Sequence, residues 1–196
     1  MLNRINEDLD KKFEHLAKEI SNPAFLNMQS LNGEIPFFIN SFHPARQVEM
    51  DVQIGHLIKK LENSGISVNE INLFDLSVDI LKRRNKFESI LKQESKLTKD
   101  KLLKTFQSLI DTETQLIPEI ERLILSKECS VNFLTGIGLV FPYLRSHTIL
   151  NNLQRVATKS PTVIFFPGVY NGTSLELFGK IKDDNYYRAF ILNNKI

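Results

Sequence analysis

The chain has 196 residues, 42% of them hydrophobic, and a formal net charge of +2 at pH 7, which is typical of a folded protein with a full core. Its single cysteine, Cys129, excludes an intramolecular disulfide, and the charged first segment predicts that no secretory signal is present. No stretch approaches the roughly 20 apolar residues of a membrane span. We therefore expect a cytoplasmic protein without a membrane segment.

Positive charge is concentrated between Lys82 and Lys104. This stretch holds nine Lys or Arg and three Asp or Glu, a net charge of +6, so the rest of the chain sums to −4. Such a stretch can contact the phosphates of a nucleic acid. It is also typical of the solvated side of helices whose apolar side faces a core. Contact with DNA through residues 82–104 is retained as an alternative.

An apolar stripe at helical spacing comes first in the chain, formed by Ile5, Leu9, Phe13, Leu16 and Ile20. Asn22 and Pro23 predict the cap and the first residue of a short second helix. A buried strand follows over 34–42. His43-Pro44 breaks that strand, and a helix is predicted from about Gln47 to Asn63.

The middle of the chain is predicted to be mostly helical. A strand over 66–74 leads into helices predicted over 76–92 with Asp75 as the cap, from Thr98 onward, and over 114–126. These helices form an insertion over about 76–127 between two strands.

The last third alternates between strands and helices. The predicted elements are strands over 131–135, 162–166 and 186–192, a helix over 146–157 and a helical turn over 173–178. The sequence thus predicts an α/β fold in a single domain over 1–196. Its mainly parallel sheet of about five strands is flanked by helices, as in Rossmann-like or degenerate P-loop-like folds.

The loops at the carboxyl ends of the predicted strands are residues 43–46, 136–145 and 167–172. In parallel sheets, ligands and partners meet this edge of the sheet. We therefore expect these three loops to lie along one edge and to contain any functional site.

The junction FLTGIGLVFPYLRSHTILNNL, residues 133–153, joins a strand to a helix through two glycines. A dinucleotide fingerprint requires a third glycine where Phe141 stands, and a phosphate loop requires Gly-Lys-Ser or Gly-Lys-Thr, which the chain lacks. Ordinary nucleotide hydrolysis is therefore not expected. Gly136, Gly138 and Arg145 remain candidates for a degenerate nucleotide site without hydrolysis.

Other catalytic or metal-binding patterns are missing from the sequence. The four histidines show no helical pairing with one another, and the single cysteine leaves no local zinc pattern. His147 beside Ser146 has acid–base potential, but capping of a helix explains it more simply. Asp183-Asp184 is typical of a solvated turn. We expect no catalytic residues, no metal and no cofactor, and hence a protein that is not an enzyme.

Tyrosine and arginine residues occur in turn-rich segments near the end of the chain. FFPGVYNG places Tyr170 between two turn dipeptides, and NYYRAF places more such residues at the start of a strand. Tyr and Arg dominate the energetic centres of protein interfaces. The alternative is that the rings fill the edge of the sheet, with their hydroxyls bonded locally. The candidate interaction residues are His43, Arg46, Tyr143, Arg145, His147, Tyr170, Asn171, Tyr186, Tyr187 and Arg188.

Four segments together resemble a known family: EIPFFINSFHP, LIKKLENSGISVNEINLFDL, the 133–153 junction and FFPGVYNGTSLELFGKIKDDNYYRAFIL. Their order and spacing are similar to those of BrxB, a small component of the BREX (bacteriophage exclusion) defence systems of bacteria and archaea. The resemblance implies a role in phage defence beside a phosphatase-like protein called PglZ, a DNA methyltransferase and a large ATPase. It supplies no catalytic residues.

The leading hypothesis is a non-catalytic assembly or adaptor subunit that docks other BREX proteins, with PglZ as the expected partner. Two alternatives stay open: a degenerate nucleotide-binding protein without hydrolysis, and contact with DNA through 82–104.

Overall fold

The computed structural model describes residues 5–29, 35–126, 128–153, 155–157, 159–183, 187 and 189–192. The helices are α1 (Leu9–Ile20), α2 (Pro23–Leu26), α3 (Gln47–Asn63), α4 (Leu73–Arg83), α5 (Phe87–Glu94), α6 (Lys99–Leu109), α7 (Ile117–Ser126) and α8 (Ser146–Leu153). The strands are β1 (Phe37–Phe42), β2 (Val68–Asn72), β3 (Val131–Thr135), β4 (Thr162–Tyr170), β5 (Leu175–Leu177), β6 (Ile181–Lys182) and β7 (Phe190–Ile191). Shorter helical turns lie at Pro44–Arg46, Thr112–Leu116 and Ile137–Val140.

A parallel sheet organises these elements, with the strand order β2-β3-β4-β1-β7. In the centre, β1 runs beside β4 from Phe37 opposite Thr162 to Phe42 opposite Pro167. β4 extends past the end of β1, and this extension pairs antiparallel with β5, which in turn pairs with β6. The predicted α/β fold with a mainly parallel sheet of about five strands is confirmed, and the β4–β5 hairpin is an addition to it.

Helices cover both faces of the sheet. Phe133 of β3 and Phe165 of β4 face a core built with α1 and α3, whereas Leu134 and Ile164 face a core built with the helices between β2 and β4. Successive residues of a strand point to opposite faces, so a strand covered on both sides is mostly apolar. This explains the apolar run over 163–166 in β4.

A buried lysine fixes α1 against the end of β1. Lys12 is only 1% exposed, and its Nζ donates hydrogen bonds to the Ser41 carbonyl and to the Glu7 carboxylate, both at 2.9 Å. Burial lowers the pKa of Lys12, although its bond with Glu7 acts in the opposite direction. The two bonds offset part of the cost of removing the ammonium group from water.

The boundary between β2 and α4 differs from the prediction because Asn72, not Asp75, caps the helix. The Oδ1 of Asn72 accepts hydrogen bonds from the backbone N–H of Phe74 (3.0 Å) and of Asp75 (3.3 Å). The predicted strand over 66–74 is therefore too long at its end. An asparagine side chain satisfies the unpaired N–H groups of a helix start as well as an aspartate does.

The predicted helix over 76–92 is divided in two. Asn85 takes a left-handed conformation, with φ of 55°, between the end of α4 and the start of α5. Asparagine tolerates this conformation better than most residues, so it ends the first helix. The predicted helix over 146–157 likewise ends early, at Leu153.

Residues 173–178 do not form the predicted helical turn. Leu175–Leu177 forms β5 instead, with Leu175 and Leu177 buried and Glu176 partly exposed between them. This alternation has the period of a strand, which a three-residue segment shows only weakly in the sequence. Of the last strand predicted over 186–192, Phe190–Ile191 forms β7. Residues 184–186 and 188 lie outside the described ranges.

Within the described ranges, no helix combines the length and the hydrophobicity needed to cross a membrane.

The buried ammonium of Lys12 makes stability depend on pH in a defined direction. Because the folded pKa lies below the ordinary value of 10.5, the unfolded chain binds more protons between these two values. We expect the unfolding free energy of the wild type to rise, relative to Lys12→Met, as pH increases through that window. Urea titrations of both proteins between about pH 7 and 10.5 measure the difference. A constant difference would contradict the burial of a charged Lys12.

Candidate functional site

The ends of β1, β3 and β4 lie on one edge of the sheet, as the sequence analysis expected. These strands are parallel neighbours, so residues 43–46, 136–145 and 167–172 emerge on the same side. The three loops nevertheless form two clusters. The loops after β3 and β4 form one of them, in which the β4–β5 hairpin packs on the turn after β3. The loop after β1 forms the other, where Arg46 contacts Glu7 and Glu49.

The turn after β3 does not form a cradle for phosphate. Gly136 has a φ of 75°, and a Cβ added there would lie 2.5 Å from Oδ1 of Asn72, the residue that caps α4. The helix α8 starts only at Ser146, beyond a helical turn and a cis Phe141–Pro142 bond. A phosphate loop instead leads directly into a helix whose N–H groups point at the ligand. The geometry does not support the interpretation of Gly136 as part of a nucleotide site.

The second glycine of the junction allows the hairpin to pack on this turn. A Cβ at Gly138 would lie 2.8 Å from Cγ of Pro167 and 3.0 Å from Cε1 of Phe178. The ring of Phe178 also meets Phe141 edge to face, with centroids 5.9 Å apart. The close approach of the hairpin therefore explains the glycine at position 138.

Tyr170 and Tyr187, two of the candidate interaction residues, are buried. Tyr170 is 5% exposed and Tyr187 is 1% exposed. The Tyr170 hydroxyl lies within hydrogen-bond distance of the carbonyl oxygens of Gly172 (3.0 Å), Tyr187 (3.1 Å) and Ala189 (2.8 Å), and its single proton can be donated to any one of them. A buried phenol needs such a partner, so the alternative interpretation, rings that fill the sheet edge with locally bonded hydroxyls, is correct for these two tyrosines. Tyr186 and Arg188 lie outside the described residues.

A small pocket lies between the start of α8 and the hairpin. The Tyr187 hydroxyl donates to Oδ2 of Asp183, and Nδ1 of His147 is 3.6 Å from the same oxygen. This pair is ionic only when His147 is protonated. The pocket has a volume of about 120 Å³, and its lining combines polar and apolar side chains. These are Phe141, Arg145, Ser146, His147, Leu175, Leu177, Ile181, Lys182 and Asp183.

Arg145 and Lys182 give the mouth of this pocket a positive charge. Both residues are exposed, and the Arg145 guanidinium forms no ion pair with any residue that the structure describes. Asp183 is positioned by Tyr187 and by its own N–H, which donates to the Leu175 carbonyl at 2.9 Å. Among the described residues, the recess thus combines two cationic groups with one carboxylate.

His43 and Arg46 belong to a different cluster. Nδ1 of His43 accepts a hydrogen bond from the N–H of Ala45 at 3.2 Å and so caps the short turn after β1. Arg46 donates to Oε2 of Glu49 at 2.7 Å and to the Glu7 carbonyl, and the hydrogen bond with Glu49 raises the pKa of Arg46. Arg46 therefore joins the segment before α1 to the first turn of α3, and His43 stabilises the turn between β1 and α3.

Tyr143 and Asn171 are also engaged within the chain. Tyr143 is half-buried and stacks on Phe106 with centroids 5.2 Å apart, and burial raises the pKa of its hydroxyl. Oδ1 of Asn171 accepts hydrogen bonds from the N–H of Thr173 (2.9 Å) and of Ser174 (2.8 Å). Of the predicted site residues that the structure describes, Arg145 and His147 are brought together at the pocket.

Sequence reasoning missed the parts played by Asn72, Lys12 and Asp183. Lys12 had a detectable signal, because it follows Leu9 by three residues and precedes Leu16 by four, so it lies on the apolar side of α1. Asn72 also had a local signal, because asparagine is a favoured N-cap and its partners are the N–H groups of Phe74 and Asp75. Asp183 had none, since its contacts with Leu175 and His147 join separate segments. In the described part of the chain, no cluster of three or more His, Cys, Asp or Glu has the arrangement of a metal site.

Comparison with known proteins gives consistent matches. A family model described as BREX protein BrxB matches residues 69–192. A BREX protein BrxB of Bacillus cereus (strain H3081.97) is 35% identical over 198 aligned positions, which cover 99% of this chain and all of that protein. A BREX protein BrxB of Escherichia coli O9:H4 (strain HS) is 27% identical, with 96% of this chain and 93% of that protein covered. No solved structure matches.

Two glycine-to-alanine changes should have opposite effects on stability. A methyl group at Gly138 meets the Pro167 and Phe178 rings, so we expect Gly138→Ala to lose about 1–3 kcal/mol by overpacking. Gly55 lies in the middle of α3 with no atom near an added Cβ, so Gly55→Ala should gain up to about 1 kcal/mol. Thermal unfolding of both variants provides the measurement. Equal shifts of the melting temperature would show that the hairpin does not pack on this turn.

Removal of the Tyr170 hydroxyl tests the attachment of the last segment. Tyr170→Phe removes the one proton that the carbonyl oxygens of Gly172, Tyr187 and Ala189 share, and we expect a loss of about 1–3 kcal/mol of stability. Tyr143→Phe is the matched control, because that hydroxyl makes one long bond of 3.4 Å to the Leu139 carbonyl. Urea unfolding should separate the two variants, and equal losses would contradict this role of Tyr170.

Proposed function

The chain belongs to the BrxB family of BREX proteins, and from that premise we propose that it is a non-catalytic assembly subunit that docks other BREX proteins in phage defence. The phosphatase-like protein PglZ is the partner that we place first. The family resemblance gives the setting of this function. The pocket beside α8 suggests where and how docking takes place.

The size of the pocket supports docking over binding of a small molecule. Pockets for cofactors and metabolites are usually about 300–1,000 Å³, whereas this one is about 120 Å³. A volume of this size takes one side chain of a partner. The single observation that carries the proposal is this preformed recess at the carboxyl edge of the sheet.

The chemistry of the recess selects the side chain that enters it. Leu175 and Leu177 provide a buried apolar floor, while Arg145 and Lys182 are exposed around it. An acidic side chain with an apolar stem, such as glutamate, would satisfy both features. Arginine is suited to such contacts, because its planar fork binds a carboxylate through two parallel hydrogen bonds.

Reversal of charge at Arg145 tests this proposal. We expect Arg145→Glu to reduce the recovery of PglZ with the tagged chain about tenfold, since repulsion replaces attraction and 1.4 kcal/mol corresponds to a factor of ten. The measurement is co-purification from cells that carry the whole BREX cluster, together with the efficiency of phage plating. Resistance to phage should fall in parallel.

Lys59→Glu is the matched control for this experiment. Lys59 is exposed near the end of α3, which runs back to the opposite edge of the sheet, so the same kind of charge change should leave recovery unchanged. Unchanged recovery of every BREX protein with Arg145→Glu would refute docking at this recess. Equal losses with both variants would point to net charge instead.

A further inference from the structure

A second surface with the character of a docking site lies on the helices between β2 and β3. The helix α6 has no buried side chain, although Leu102, Phe106 and Leu109 follow one another at helical spacing. An amphipathic helix normally buries its apolar stripe in a core. The three residues of this stripe pack against the core but stay partly exposed, and Phe106 forms one wall of a groove.

The groove runs between α4, α5 and α6 and has a volume of about 150 Å³. Its floor is aliphatic, with buried Leu81 and Ile90, and its walls include Phe87 and Tyr143. Leu91 at its edge is 50% exposed. The groove therefore presents apolar side chains to solvent in a concave shape, which is the form of a site for a helix with spaced apolar residues.

The surroundings of the groove are strongly basic. The 82–104 stretch carries a net charge of +6, and Nζ of Lys82 lies 5.5 Å from the centroid of the Phe87 ring. Arg83 is bonded to Glu119 at 2.9 Å, and Arg84 donates to the Leu109 carbonyl at 2.7 Å. Across the described ranges, the seven lysines of the stretch are exposed and form no ion pair: Lys82, Lys86, Lys92, Lys96, Lys99, Lys101 and Lys104.

The groove adjoins the recess described above. Residues 136–145 contribute Phe141 to the lining of the recess and Tyr143 to the lining of the groove. One loop thus separates the two sites, and a single partner can reach both of them.

We propose that this groove binds an acidic amphipathic helix of a BREX partner. The inference rests on the assembly function proposed above and adds a partner segment of stated chemistry. One apolar side chain of the helix would enter the groove, a neighbour one turn away would cover the exposed Leu91, and the acidic residues of the helix would face the lysines of the 82–104 stretch. Complementary charge of this kind speeds association and selects among partners.

Nucleic acid fits the groove less well than a peptide does. Recognition of bases requires hydrogen-bond donors and acceptors, whereas the lining is almost entirely hydrocarbon. The lysines alone would give salt-dependent binding without use of the apolar groove.

Photo-crosslinking from the groove identifies its occupant directly. The photoreactive residue benzoylphenylalanine replaces Leu91 in the full chain, expressed with the whole BREX cluster, and the crosslinked peptide is sequenced. We expect a peptide of another BREX protein with net negative charge and apolar residues at helical spacing. Leu125, which is 56% exposed on α7, is the matched position outside the groove and should give no such crosslink.

Substitutions at the same positions give the quantitative test. Leu91→Glu should reduce recovery of the crosslinked partner at least tenfold, and Lys86→Glu with Lys92→Glu should reduce it to a similar extent. Leu125→Glu should leave recovery unchanged. Because Leu91 is half-exposed, its replacement should not prevent folding, and the melting temperature of each variant checks this.

Several outcomes would overturn the inference. They are a Leu91 crosslink to DNA, a crosslink to a second copy of this chain, the same crosslinked peptide from Leu91 and Leu125, and recovery that is insensitive to Leu91→Glu. If Arg145→Glu still removes PglZ while Leu91→Glu changes nothing, the groove proposal fails and the assembly function stands. If both variants keep every BREX contact, both proposals fail.

Discussion

The contact between the β4–β5 hairpin and the turn after β3 determines the shape of the carboxyl edge of the sheet. The hairpin reaches the turn because Gly138 has no Cβ to meet Pro167 and Phe178. It is held in place by the Tyr170 hydroxyl, which joins β4 to the segment that leads into β7. Side chains of Asn72, Pro167 and Phe178 therefore pack against the turn after β3, at the edge of the sheet where a doubly wound fold binds a nucleotide. The same packing creates the small recess beside α8.

The two surfaces that we propose for protein partners lie on either side of residues 136–145. The recess combines an apolar floor with the cationic groups of Arg145 and Lys182, and the groove of α4, α5 and α6 combines an aliphatic floor with the exposed lysines of the 82–104 stretch. Both are complementary to acidic segments with apolar residues. The basic stretch over 82–104 can thus be interpreted in a second way, as the charged border of the proposed peptide groove. In that interpretation its charge selects a protein partner instead of DNA.

Local signals in the sequence were sufficient for the parallel sheet and for most helices. The apolar run over 163–166 predicted a strand, β4, that is covered on both faces, and caps such as Thr98 predicted helix starts. Features that depend on distant partners were not predictable. The burial of Tyr170 requires the carbonyl groups of residues 187 and 189, and a turn-rich segment gives no sign of that pairing. The position of Lys12 within the apolar stripe was a visible signal that the prediction of α1 did not use.

We infer that a BREX protein binds on both sides of residues 136–145 and leaves the face of α1 and α3 exposed to solvent. Hydrogen–deuterium exchange of the chain, with and without purified PglZ, distinguishes these surfaces. Binding there predicts slower exchange upon complex formation in peptides that cover 87–94 and 141–147, with unchanged exchange in α1 and α3. Protection confined to α1 and α3, or no protection at all at saturating PglZ, would contradict it.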